Sequence, residues 1–223
     1  MKGGTEASDI WWTRVRMTRR MVHFFEEAGA ENTDHVIRAV KQRIRQGDVD
    51  KVLVASESGR LALRVRDEVP PSVSVICVTY NKQTRARYQK PSLMKQRLQK
   101  AGVAVVDTVR EPMGRRLVFR NWFERKTLHL PGTHADLFWM TLICVGGHGL
   151  RTAVEIVFMA VESGTVKIGE RVIALAGTGW GADSAIVTQG SRFDDAVGED
   201  QGRRFKIEEI LAMPKRTAWA GYG

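Results

Sequence analysis

A short polar loop at residues 56–60, SESGR, has residue types that suit the binding of a phosphate. Its hydroxyl and guanidinium groups donate hydrogen bonds to phosphate oxygens, and Gly59 lets the backbone approach them. An apolar run before the loop predicts a strand, and Leu61, Val65 and Val69 predict a helix whose N-terminal dipole attracts anions. The loop therefore predicts a phosphate cradle, although an ordinary strand-to-helix turn with a serine cap has the same residue types.

Two further polar loops follow apolar runs that predict strands, at residues 79–81 and at the glycine-rich segment 177–184. The glycines permit positive φ angles and a nest of N–H donors. No Gly-Lys-Ser/Thr follows them, so the segment is not a P-loop. Trp180 either stacks on the flat ring of a ligand or packs as an ordinary tryptophan.

All three loops are expected at one edge of a sheet, because ligands of open parallel sheets bind beyond the carboxyl ends of the strands. One crevice could then collect them. The candidate ligand-binding residues are Ser56, Ser58, Gly59, Arg60, Thr79, Tyr80, Asn81, Gly177, Thr178, Gly179, Trp180, Gly181, Asp183 and Ser184.

Alternating strand and helix patterns predict the α/β fold that would position these loops. The expected strands are 21–25, 52–55, 73–78, 103–106, 171–176, 185–188 and 205–213. The expected helices begin near Asn32 or Thr33, after residue 60, near Pro91 and at Thr133. A further helix is expected after the glycine-rich helix breaker at 146–149. The last two strands favour an antiparallel edge, and basic residues 107–132 form a long loop.

The charge balance favours an anionic partner. The chain has 223 residues and carries 35 Lys+Arg against 25 Asp+Glu, a formal net charge of +10, and such a field attracts phosphorylated ligands, nucleic acid or acidic membranes. Basic residues concentrate at 82–100 and 110–126. These stretches are either solvated helix faces and loops or the rim of an anion site.

Composition argues against several other classes of protein. Cys77 and Cys144 lie in apolar runs, so we expect buried, inert thiols, and no cysteine or histidine spacing predicts a metal site. No apolar run approaches the roughly 20 residues of a membrane span, and arginines interrupt any signal peptide, so we expect a cytoplasmic protein. The basic, aromatic residues 1–20 form a membrane-surface helix or an extension outside the core.

Residues 52–62 and 78–84 resemble the C-terminal domain of pyruvate kinase, in which a Ser-Gly-Arg loop binds an effector phosphate. The closer resemblance is to small archaeal and bacterial proteins that consist of this domain alone, and it covers residues 21–216. The segments that carry it are 31–33, 147–151, 154–160, 181–185 and 210–214. Residues 1–20 and 217–223 would then be an extension and a tail.

The resemblance implies a three-layer α/β/α fold with a mixed, mainly parallel five-stranded sheet and one antiparallel edge strand. It also implies a phosphorylated small-molecule ligand, with FMN the expected cofactor. The FMN phosphate would lie at 56–60 and its ring near Thr79, Tyr80 and 177–184. Because the catalytic barrel of pyruvate kinase is missing, we expect no pyruvate kinase activity, while homo-oligomerisation stays open.

Two other functions stay open at this point. One is a flavin- or phosphate-dependent enzyme with Tyr80, Glu155 or Asp183 as acid or base, although Glu155 could instead pair with Arg151 and Asp183 could cap a turn. His148 is expected to mark the helix break. The other is a nucleic-acid-binding module that uses the basic region 82–126, which ranks last because the chain lacks RRM, KH and helix-turn-helix signatures.

Overall fold

The structure is a computed structural model that describes residues 18–79, 91–107, 134–196 and 203–216, with the side chains of 91–93 and 134–136 left aside. A single seven-stranded sheet, in the order β1-β7-β6-β5-β2-β3-β4, forms its centre. The strands are β1 (His23–Glu27), β2 (Lys51–Ala55), β3 (Ser74–Val78), β4 (Ala104–Val106), β5 (Arg171–Ala176), β6 (Ser184–Gln189) and β7 (Ile207–Arg216).

The sheet is mixed and mainly parallel, as expected, but it has two strands more than the five that the resemblance implies. Strands β5, β2, β3 and β4 run parallel to one another, whereas β6 is antiparallel to both β5 and β7. The prediction of five strands with an antiparallel edge strand was therefore wrong. Strand β7 pairs in parallel with β1, which adds two strands beyond β6 and moves the antiparallel strand inside the sheet.

In the described part of the chain, five α-helices cover the two faces of this sheet, so the fold has three layers. They are α1 (Thr33–Ile44), α2 (Arg60–Glu68), α3 (Pro91–Lys100), α4 (His134–Glu162) and α5 (Phe193–Ala196). The alternation of side chains along a strand explains the layers, since Val52 and Val54 of β2 pack with α1 and α2 while Leu53 packs with α4. Both faces of the central strands are buried, as a parallel sheet requires.

Helix α4 is broken, as the glycine-rich breaker predicted. Gly146 and Gly147 have non-helical backbone angles, and Gly147 has a φ of 74° that favours glycine. The stretch Leu137–Glu162 is nevertheless long and apolar enough to cross a membrane by length and composition, with a mean hydropathy of 1.4. One such helix does not decide whether the chain crosses a membrane, because a buried core helix passes the same test of length and composition. In the fold, 72% of the apolar window is buried against the sheet.

The two cysteines differ in their surroundings. Cys77 is buried in β3, whereas Cys144 is exposed, so the prediction of two buried thiols was wrong for Cys144. Within its apolar run Ile143 faces the core, while Cys144 and Val145 lie on the outer face of α4. An apolar run of four residues on a helix cannot be buried on all sides, because successive side chains point about 100° apart.

An ion-pair network holds the amino-terminal ends of the central strands, at the edge opposite the predicted loops. Arg43 of α1 is 3% exposed and donates to Asp48 at 2.5 and 3.0 Å and to Glu209 of β7 at 2.9 Å. The hydrogen bond from Arg43 lowers the pKa of Asp48 to about 2. Arg171 of β5 extends the network to Asp48 at 2.9 Å and Glu208 at 2.6 Å.

Candidate functional site

The order of the strands places two predicted loops side by side. The chain passes from β2 to β3 and β4 on one side of β2, and then crosses back so that β5 pairs with the other side. In β2 and β5, Val54 lies opposite Leu175 in parallel register, so the loops after these strands leave the sheet together. Such a reversal opens a crevice at the carboxyl ends of the strands, where ligands of α/β proteins bind.

The loop after β2 leads into α2 through Gly59, which has a φ of 72° and is the N-cap residue of the helix. A glycine has no side chain with which to cap the helix, and the Ser58 hydroxyl oxygen lies 3.5 Å from the Arg60 N–H, beyond the ordinary range of a hydrogen bond. The first turn of α2 contains no acidic residue, and Arg60 is exposed. Within the described residues, the positive end of this helix therefore has neither a side-chain cap nor an acidic residue in its first turn.

Packing against α3 also requires a glycine at position 59. A Cβ atom there would lie 2.9 Å from side-chain carbons of both Met94 and Leu98. Gly59 therefore lets α3 approach, and the space above its Cα is not available to a ligand. The Ser56 N–H donates to Val78 O at 3.1 Å, so the available donors lie at Ser58, Arg60 and the first turn of α2.

Polar residues that follow β3 and β4 extend this edge. Thr79 is buried, and its N–H donates to Val106 O at 3.0 Å, whereas Tyr80 and Asn81 lie outside the described residues. Asp107 directly follows β4, is buried, and accepts a hydrogen bond from Lys95 Nζ at 3.0 Å. Sequence reasoning missed this pair, although the position of Asp107 at a predicted strand end was a signal.

Asp183 fixes the shape of the glycine-rich loop. Its carboxylate accepts hydrogen bonds from the Thr178 N–H at 2.9 Å and from the Ser184 hydroxyl at 2.8 Å. The side chain is fully buried, and its own N–H donates to Ala176 O at 3.0 Å. The structure thus gives Asp183 the turn-capping role, with both carboxylate oxygens already bonded within the protein.

The tip of the loop, residues 179–181, is the part that faces outward. Gly179 has a φ of 85° with open space where a Cβ would stand, and Trp180 is 66% exposed. The Thr178 hydroxyl oxygen is buried and makes no hydrogen bond within the described part of the chain. Because the N–H groups of Thr178, Ala182 and Asp183 all donate within the protein, the predicted nest is limited to the tip.

The second half of α4 closes the other side of this loop. Gly149 lies directly against Asp183 and Ser184, with no room for a Cβ atom. Its neighbour His148 is half-buried, and burial lowers the pKa of His148, with a further lowering from Arg151 and an opposing effect from Asp183. The lowered pKa favours the neutral imidazole at pH 7.

A buried charge pair lies one turn further along α4. Arg151 Nη1 lies 3.5 Å from Glu155 Oε2, and the two side chains are 7% and 0% exposed. The Arg151 guanidinium also lies 5.2 Å from the centroid of the Trp139 ring. The structure thus places Glu155 in a pair with Arg151. Among the described residues, no group of three His, Cys, Asp or Glu side chains is arranged to hold a metal ion.

The fold defines an α/β domain whose strand order reverses beside β2, at the carboxyl ends of β2 and β5. The family model described as "Pyruvate kinase, alpha/beta domain" matches residues 34–189, which is more than half of the chain. The chain belongs to this family. The match includes the loops after β2, β3 and β5, while β1 and β7 lie outside it and complete the same sheet.

Proposed function

We propose that this protein binds a phosphorylated small molecule, with FMN as the first ligand to test, at the carboxyl ends of β2, β3 and β5. The observation that carries the proposal is the N-terminus of α2. It lies at the reversal of strand order, follows the N-cap residue Gly59, which supplies no side-chain cap, and has the exposed Arg60 as its first residue.

The electrostatics of this helix end favour a phosphate. Unpaired N–H groups and the helix dipole supply partial positive charge, and Arg60 adds a full charge with a fork of donors. Glu57, the acid in the same loop, is exposed, so water screens its repulsion. The formal net charge of +10 adds a long-range attraction for anions.

The glycine-rich loop supports a ligand with a flat ring beside its phosphate. The exposed Trp180 offers a large aromatic face, and the buried Thr178 hydroxyl is a donor without a partner in the described part of the chain. FMN combines a phosphate with a flat tricyclic ring, and when bound it would supply redox chemistry. Both loops leave neighbouring strands, which suits a ligand that bridges them.

The proposal stops at binding, because the structure uses two of the acid–base candidates internally. Glu155 lies in the buried pair with Arg151, and Asp183 caps the glycine-rich loop, while Tyr80 lies outside the described residues. We also expect no turnover of phosphoenolpyruvate and ADP, and a coupled assay with the purified protein checks this.

The proposal is tested by the visible spectrum of the purified protein, followed by titration with FMN monitored through flavin fluorescence. Arg60→Ala is compared with Arg64→Ala. The second substitution removes the same charge one turn further along α2, at an arginine that pairs with Asp34. We expect saturable binding that weakens in Arg60→Ala and changes little in Arg64→Ala. A colourless protein that neither binds FMN nor retains any phosphorylated metabolite in a competition screen would contradict the proposal.

A further inference from the structure

We infer that Thr33, the first residue of α1, is a positioning residue that sets the glycine-rich loop for ligand binding. The inference rests on the proposed function, because the loop is one wall of the proposed site. Thr33 itself lies beneath the loop and is 3% exposed, so it acts through the backbone of the loop.

The Thr33 hydroxyl connects two segments that are far apart in sequence. Its oxygen accepts a hydrogen bond from the Ala182 N–H at 3.0 Å, and the hydroxyl donates to Ala30 O at 2.5 Å. Ala182 is fully buried. One threonine hydroxyl therefore satisfies a buried loop N–H and ties it to the turn before α1.

The loop backbone is shaped to fit this hydroxyl. Gly181 has a φ of 78°, and a Cβ atom on it would overlap Thr33 Oγ1 and lie 3.0 Å from Ala30 Cα. The turn beneath is held in its own right, because the Asn32 amide donates to Glu27 O at the end of β1 at 2.8 Å. The contact thus joins the loop to a fixed support.

The loop is held from both helical layers. Thr33 contacts it from the α1 face, and Gly149 of α4 packs against Asp183 from the other face. Both contacts fall at 181–184, so the position of the tip at 179–181 depends on them. Without the hydroxyl, the Ala182 N–H would be buried without a partner, and the loop would shift to find one.

The test compares Thr33→Val, which removes the hydroxyl at nearly constant volume, with Thr33→Ser, which keeps it. Thr141→Val is a matched control, since the Thr141 hydroxyl donates to Leu137 O on an exposed face of α4. We expect Thr33→Val to raise the Kd for FMN about tenfold and the other two variants to stay within about twofold. Circular dichroism verifies that every variant is folded at the temperature of the titration.

Hydrogen exchange of peptides that cover 177–184, measured without ligand, gives a second readout. Thr33→Val should accelerate exchange in this loop, whereas Thr33→Ser should not. If the wild type binds FMN and Thr33→Val binds it equally well, the inference is overturned while the proposed function stands. If the wild type binds no phosphorylated ligand, the proposed function fails, and unchanged exchange in Thr33→Val would then overturn the positioning role as well.

Discussion

Gly149 of α4 and Asp183 of the glycine-rich loop are in direct contact, and the contact leaves no room for a side chain on Gly149. The Asp183 carboxylate uses its oxygens to hold the Thr178 N–H and the Ser184 hydroxyl. The break in α4 at Gly146 and Gly147 brings the new helix start against this carboxylate. The glycine-rich helix break at 146–149 therefore also allows α4 to pack against the loop that forms one wall of the proposed site.

Gly149→Ala is expected to destabilise the protein by about 2 kcal/mol, because the new methyl group would push against Asp183 and Ser184 in a packed interior. Urea unfolding measures the change. Gly102→Ala is the control, since its φ of 72° imposes strain of about 1 kcal/mol but its surroundings are open. Alanine is the better helix former, so a more stable Gly149→Ala variant would contradict the described contact.

Arg43→Met is expected to cost about 3 kcal/mol of unfolding free energy, because it removes the buried cation that Asp48 and Glu209 share and leaves them only the more exposed Arg171 and Arg20. The control is Arg38→Met, an exposed arginine on the same helix, for which a change within about 0.5 kcal/mol is expected. Equal effects of the two substitutions would show that the network contributes little.

Acidic pH should remove the stability that Asp48 contributes to the folded protein. Its pKa is about 2 in the folded protein and 3.8 when unperturbed, so the unfolded chain takes up the proton first as the pH falls. The stability that Asp48 contributes is therefore complete above about pH 4 and disappears between pH 4 and pH 2. The difference in urea midpoint between the wild type and Asp48→Asn should shrink across that window. A difference independent of pH would contradict the ion pair with Arg43.

Local patterns in the sequence were enough to predict most of the elements. The strand near residues 21–25, the helix at α3 and the break in α4 are set by nearby residues, and the structure contains all three. Local patterns also predicted seven strands, but the order in which these strands pair was not predictable in this way. The pairing of Phe24 with Met213 joins distant parts of the chain, and no local signal reveals it.

In the candidate site too, features set by nearby residues were predictable and contacts between distant parts of the chain were not. The loops after β2 and β5 were predicted from residue type, and the topology brings them together. The contact between Thr33 and Ala182 could not be predicted, because a threonine at a helix start has the same appearance whether it caps its own helix or a distant loop. The packing of Met94 on Gly59 is likewise a tertiary contact that the sequence did not reveal. Gly59 was expected to let the backbone approach a ligand, and in the structure it makes room for Met94.

The central claim is that α2 holds the phosphate of the ligand, and a comparison of FMN with riboflavin, its analogue without phosphate, tests it most directly. The Kd of each flavin is measured for the wild type and for Arg60→Ala by fluorescence titration. The account predicts that Arg60→Ala weakens FMN binding about tenfold and leaves riboflavin binding unchanged, since Arg60 would contact the phosphate alone. An equal effect on both flavins, or none on either, would contradict a phosphate site at the N-terminus of α2.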